Sequence, residues 1–245
     1  IVSDRITSPR EWRFQREIPV QYSEINISHH KWLDYVYLMQ SGEYVKKTGE
    51  DAQAAVVQGA RGDQTFSQFY AENLPGLREE KYITTMDDYY AKLQLQLQAV
   101  MVPGEEIQRV FTSWEELAKD LLSSDAFGRQ FDRKGQHKKL YEDSQALVPA
   151  EGSEKEKVKA IYDFVNSRME WNESYGFTCS EKMDRLYESG KASSGELNLM
   201  LLALLREYDV TAYPVLLSTR EHGAPIPTYP IISQFNHVLV YVEIE

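Results

Sequence analysis

Trp12, Phe14, Ile18 and Val20 share one parity while Arg13, Gln15 and Glu17 take the other, the period-two signature of a half-buried strand. Residues 32–39 carry Trp, Leu, Tyr and Val in a β-rich run and predict a second strand. The stretch 92–98 reads Lys-Leu-Gln-Leu-Gln-Leu-Gln, an almost unbroken alternation that predicts a third. Between them, 42–80 holds Gly49, Gly59, Gly62, Asn73, Pro75 and Gly76 with weak periodicity, which predicts a long connection with short helical pieces.

After Pro103-Gly104 the period changes from two to 3.6, and the main boundary is expected there. Three capping boxes follow. Ser113-Trp114-Glu115-Glu116 opens one helix, and Ser153-Glu154-Lys155-Glu156 opens a second whose apolar face is Val158, Ile161, Tyr162, Val165 and Met169. Ser193-Ser194-Gly195-Glu196 opens a third, with 197–205 apolar on nearly every side, so this helix is expected at the centre of its domain. Strands are predicted over 212–219 and 235–244, joined by a loop at 222–230 rich in helix and strand breakers.

Composition narrows the classes. Hydrophobic residues make up 42% and charged residues 27% of 245, a globular balance, and the formal charge of −11 repels nucleic-acid phosphates. The longest uncharged apolar run, 199–205, is far short of the roughly 18–20 residues that cross a bilayer. No glycine-rich phosphate loop occurs. Cys179 is the single cysteine, and no pair of the five histidines has helical metal-ligand spacing, since His29 and His30 would face opposite sides of a strand, so no cofactor and no metal site are expected. The basic run Arg129, Arg133, Lys134, His137, Lys138 and Lys139 reads as a solvated face.

The segments 190–202 (Gly-Lys-Ala-Ser-Ser-Gly-Glu-Leu-Asn-Leu-Met-Leu-Leu), 214–220 (Pro-Val-Leu-Leu-Ser-Thr-Arg) and 234–238 (Gln-Phe-Asn-His-Val) together resemble the transglutaminase-like superfamily of papain-type thiol enzymes. Residues 79–97 resemble the end of a β-rich domain of unknown function that precedes this core in large bacterial proteins. The resemblance implies an α+β fold. Residues 1–104 would be the C-terminal part of the β-rich domain plus a connection, and 105–245 a papain-like transglutaminase core, cut short at its C-terminal end, whose central helix packs on an antiparallel sheet. It also implies an exported, periplasmic bacterial protein with further domains in the same polypeptide.

Family enzymes place a cysteine in the first turn of the central helix, where the helix dipole and a nearby imidazolium stabilise the thiolate. By resemblance that position is Ser194, and His237 matches the family histidine. The third member of the family site would lie on a strand beyond Glu245. A serine hydroxyl is not ionised by a helix dipole, so attack on an acyl group would need a general base and an oxyanion hole. Each residue also has a structural role open to it: helix capping for Ser194, a satisfied strand histidine for His237, a bland thiol for Cys179. Trp171 and Tyr175 follow the second helix and are expected near the start of the central one, either as core or as groove lining. Arg220, Tyr229 and Asn236 fall in segments that the resemblance puts near the groove.

The expectation is therefore a catalytically inactive module that binds peptide or glycopeptide or serves as a scaffold. The alternatives are a Ser–His hydrolase, a cysteine enzyme seen as a Cys-to-Ser variant, and a spacer with no groove function. Neither nucleic acid nor a membrane span is expected.

Overall fold

The structure is a computed structural model that describes residues 11–51, 64–110 and 113–244. The chain is α+β and divides into two compact units, Ile1–Trp114 with Ile226–Ser233, and Glu115–Pro225 with Gln234–Glu245.

In the first unit the strands are β1 (Trp12–Arg13), β2 (Val20–His30), β3 (Leu33–Gln40), β4 (Lys46–Asp51), β5 (Gln64–Leu74), β6 (Lys92–Val100) and β7 (Gln108–Arg109). They form two antiparallel sheets, β1–β6–β3 with β7 also on β6, and β2–β5–β4. The alternation of β6 works as read, with Leu93, Leu95 and Leu97 buried and the glutamines between them facing outward. Phe14, Phe69, Ala71, Leu74, Ala91, Leu93 and Leu95 make the core that the two sheets share. In register, Trp12 of β1 lies opposite Leu93, and Val20 of β2 opposite Leu74.

Two sequence expectations need correction. The opening alternation is not one strand: the chain leaves β1 after Arg13 and returns to strand at Val20, with Ile18 exposed. The break is held by Gln15, whose amide donates to the Pro75 carbonyl (2.9 Å) and accepts from the Ala91 N–H (3.3 Å). Nor is 42–80 a connection, because it contains β4 and the eleven-residue β5 at the centre of its sheet. The period of β5 is disguised. Its core-facing parity carries Ser67, Phe69 and Ala71, while the other parity carries Phe66 and Tyr70. The first unit also runs past the Pro103-Gly104 turn, since β7 pairs back onto β6.

The second unit contains α1 (Trp114–Ser123, whose first residue falls with the first unit), α2 (Lys138–Ser144), α3 (Glu154–Arg168), β8 (Glu170–Trp171), α4 (Met183–Ser189), β9 (Lys191–Ala192), α5 (Ser194–Glu207), β10 (Ala212–Leu217) and β11 (His237–Val242). α3 and α5 start at Ser153 and Ser193 with both hydrogen bonds of the capping box formed. The apolar α5 is central, with Leu199, Met200, Leu202 and Leu205 fully buried among Ile161 and Phe164 of α3, Met183 of α4 and Val238 of β11. Each such side chain contributes roughly 1.5–3 kcal/mol by burial. The basic run is a solvated face as read, with Arg129, Lys134, Lys138 and Lys139 in exposed pairs with Asp125, Asp209, Glu142 and Glu188; the exception is His137, whose ring is largely buried beside Asp184.

Candidate functional site

α3 ends at Met169, which turns to extended backbone, and the next two residues form β8, parallel to β9. The pairing of Glu170 with Lys191 and Trp171 with Ala192 brings residues 172–177 against the start of α5. α4 stops at Gly190, whose left-handed φ of 70° makes the turn into β9. β9 leads within two residues to Ser194, the first residue of α5. His237, the first residue of β11, lies opposite Leu217 of β10. The Ser194 hydroxyl is 2.9 Å from His237 Nδ1.

The turn from Trp171 to Tyr175 is built from hydrogen bonds that converge on one carbonyl. The Ser174 oxygen accepts both the Ser194 backbone N–H (3.0 Å) and the Trp171 indole N–H (2.9 Å). Asn172 Oδ1 closes the turn by accepting from the Ser174 N–H (3.0 Å) and hydroxyl (2.5 Å), and Glu173 takes a left-handed φ of 66°. Trp171 and Tyr175, 43% and 58% exposed, meet edge to face at 5.5 Å, and Tyr175 meets the His237 ring edge to face at 5.8 Å. The backbone at Gly195 comes so close to this segment that a Cβ there would lie 2.2 Å from the Gly176 carbonyl oxygen and 2.8 Å from the Phe177 nitrogen.

Glu196 ties a further loop to the same helix end. Its carboxylate accepts from the Ser193 N–H (2.7 Å) and from the Ser180 N–H (2.8 Å) and hydroxyl (2.6 Å), and the residue is 3% exposed. Burial alone would raise its pKa, but the hydrogen bonds from Ser180 and Ser193 outweigh it and hold the carboxyl below its usual range. Burial, with the Glu196 charge nearby, pushes the Cys179 thiol up to about 12, so this buried cysteine is a thiol and not a nucleophile. Burial also lowers the His237 pKa from its ordinary 6.5, so the imidazole is neutral at pH 7. In its Nε2–H tautomer, Nδ1 accepts the Ser194 proton.

The other residues singled out from sequence have different surroundings. The Asn236 side chain is spent on Thr219: its oxygen accepts the Thr219 N–H and its amide donates to the Thr219 hydroxyl, both at 2.8 Å. It pins the mouth of the β10–β11 hairpin. Asn236→Ala is expected to lower stability by about 1 kcal/mol, read as a shift of the denaturation midpoint without change of slope. Arg220 is exposed beyond the end of β10. Tyr229 lies in Ile226–Ser233, which belongs to the first unit. Among the described residues no three His, Cys, Asp or Glu side chains form a metal-binding group. Nor is any described helix long and apolar enough to cross a membrane.

Sequence reading missed Asn172, Ser174, Ser180 and the clamping role of Glu196. A usable signal was present in Gly195, because a glycine inside a capping box sacrifices helix propensity and marks a close backbone approach.

No protein-family model matches the chain, and no curated protein matches it. Among solved structures, the chain is similar to a crystal structure of a "putative protease" from Parabacteroides distasonis, with a TM-score of 0.64 and 14% identity. The match covers 96% of this chain and 40% of that one, and at this identity the likeness is one of fold.

Proposed function

We propose that the chain contains a catalytically inactive, papain-like transglutaminase core whose helix terminus and aromatic pair bind peptide or glycopeptide. The observation that carries this is the state of the Ser194 site. An imidazole that burial keeps neutral faces a hydroxyl, and among the described residues no carboxylate forms an ion pair with it. A serine hydroxyl, unlike a thiol, is not ionised by a helix dipole, so Ser194 is a poor nucleophile where the family places a cysteine. The Ser194 N–H, the donor best placed for a developing oxyanion, is spent on the Ser174 carbonyl. The binding half of the proposal draws on Trp171 and Tyr175, two exposed rings held rigidly beside the helix start.

The 2.9 Å contact itself favours one rival, a Ser–His hydrolase. A fluorophosphonate probe separates the two. The inactive module leaves Ser194 unlabelled and shows no acyl transfer, amine incorporation or peptide hydrolysis above background; stoichiometric labelling at Ser194 that disappears in His237→Ala makes it a hydrolase. For the binding half, peptides and cell-wall fragments should raise the melting temperature of the wild type and lose that effect in Trp171→Ala. A groove indifferent to every such ligand is a spacer.

A further inference from the structure

A cavity of about 200 Å³ lies within the second unit, between the last turn of α5, the start of α2 and the turn at 131–135. Its apolar walls are Phe131, Leu140, Tyr141, Ala203 and Leu204, of which Leu140 and Leu204 are fully buried. Its charged lining sets Arg133, Lys134 and Arg206 against Asp132 and Glu207, so the cavity is locally cationic on a chain whose formal charge is −11.

These groups differ in what they have left to give. Lys134 is paired with Asp209, and Arg133 lies 3.9 Å from Asp132. Glu207 turns both carboxylate oxygens to the Gly135 N–H (3.0 and 2.9 Å), and His137 turns Nε2 to the Gln130 carbonyl (2.6 Å). Arg206 is half-buried, and among the described residues no carboxylate forms an ion pair with it. Burial lowers its pKa, opposed by the Tyr213 phenol and by no carboxylate, so its charge is not neutralised in place.

Arg206 is also held still. Its Nε and Nη2 donate to the Ala212 carbonyl (3.2 and 3.1 Å), and its guanidinium carbon lies 4.8 Å from the centre of the Phe131 ring. That uses one edge of the fork. The Nη1 amine and the second Nη2 proton make no hydrogen bond to any described residue. The Glu243 N–H bonds to the Thr211 carbonyl and the Asn236 N–H to the Leu217 carbonyl, so residues of odd number on β10 face β11 and the Ala212 carbonyl faces away from it. Arg206 therefore approaches β10 from the side opposite β11, and a strand added to β11 would lie across the ribbon from it.

One uncompensated charge with two carboxylates at the rim favours a monoanion over a phosphate dianion. The planar fork, with donors side by side, matches a carboxylate. A cavity somewhat above the roughly 150 Å³ that holds benzene admits one ring and its acid group. We propose that this cavity binds a small aromatic monocarboxylate, its oxygens on the free edge of Arg206 and its ring against Tyr141 and Leu204. The site lies roughly 18 Å along α5 from Ser194 at 1.5 Å rise per residue, and it does not depend on the peptide reading.

The probe is 4-fluorobenzoate followed by fluorine NMR, with 4-fluorobenzamide and 4-fluorophenyl phosphate as comparators. The wild type should bind the benzoate with a dissociation constant of about 1 mM, at least tenfold more tightly than the uncharged amide and more tightly than the phosphate. Backbone amide signals of 131–141 and 203–207 should shift on binding, and those of 171–177 should stay. Arg206→Gln should weaken the benzoate at least tenfold. Because Arg206 also holds the Ala212 carbonyl, Ala203→Leu is the second variant: it keeps the guanidinium, fills the cavity, and should weaken binding as much with unchanged circular dichroism. Absence of wild-type binding, equal affinity for benzoate and amide, tighter binding of the phosphate, shifts confined to 171–177, or full binding by Ala203→Leu each overturns the assignment.

Discussion

Gly195→Ala is expected to destabilise the protein by about 3 kcal/mol, the upper end of the range for overpacking a filled site, or roughly 6–12 °C in melting temperature for a domain of this size. The sign is diagnostic. In an ordinary helix the exchange would stabilise by nearly 1 kcal/mol, because glycine gives up more backbone entropy. Here the new methyl would lie 2.2 Å from the Gly176 oxygen and 2.5 Å from its carbonyl carbon, and backbone cannot swing aside as a flexible side chain can. The turn must move, and with it the Ser174 carbonyl that holds the Ser194 and Trp171 donors. Thermal denaturation and Trp171 fluorescence should therefore change together. A variant as stable as wild type would mean that the turn does not press on the helix.

Glu196→Ala should cost as much, again about 3 kcal/mol, since it strips a charged acceptor from three donors at a buried helix start. Glu196→Gln keeps the shape but loses the charge-assisted bonds, and should fall between the two. The pH dependence has a defined sign. The folded-state pKa lies below the unfolded one, so the stabilisation is complete above the ordinary carboxylate range and is lost as pH falls through the depressed value. Urea denaturation between pH 3 and 7 should show a decline on acidification that is smaller in Glu196→Gln. Equal pH profiles for the two proteins would contradict the clamp.

What the sequence made legible follows from how local each signal is. Ser153 and Ser193 announce their helices because a capping box is a contract among four adjacent residues, and the structure contains both in full. Strands at 212–217 and 237–242 were readable because β-rich runs need no distant partner to be recognised, whereas the α+β class and the antiparallel sheet were expected from the resemblance. β5 was hidden because burial along it follows the facing sheet, which accepts Ser67 and Ala71 where a pattern reader expects large apolar groups. α4 was missed because Lys182 caps it without a side-chain bond and the helix has only seven residues. At the candidate site the two chemical groups carried sequence signals, but the turn that occupies their donors did not. A main-chain oxygen such as that of Ser174 is present in every residue, and only the fold aims it.

The pairing of Trp12 with Leu93 sets a delay on how this protein is made. Ribosomes add about 5–20 residues per second, so β1 waits on the order of ten seconds after its synthesis before the strand that receives it exists. β2 waits for β5 in the same way, with Val20 reaching its partner only when Leu74 has been added. Neither sheet of the first unit can close from its amino-terminal end, and the nascent chain must carry Trp12, Phe14 and the apolar side of β2 unpaired until β5 and then β6 emerge. Slowing synthesis across 75–92 would lengthen that exposure, whereas a pause once β6 has cleared the ribosome would give it time to collect β1 and β3 before the helices of the second unit emerge.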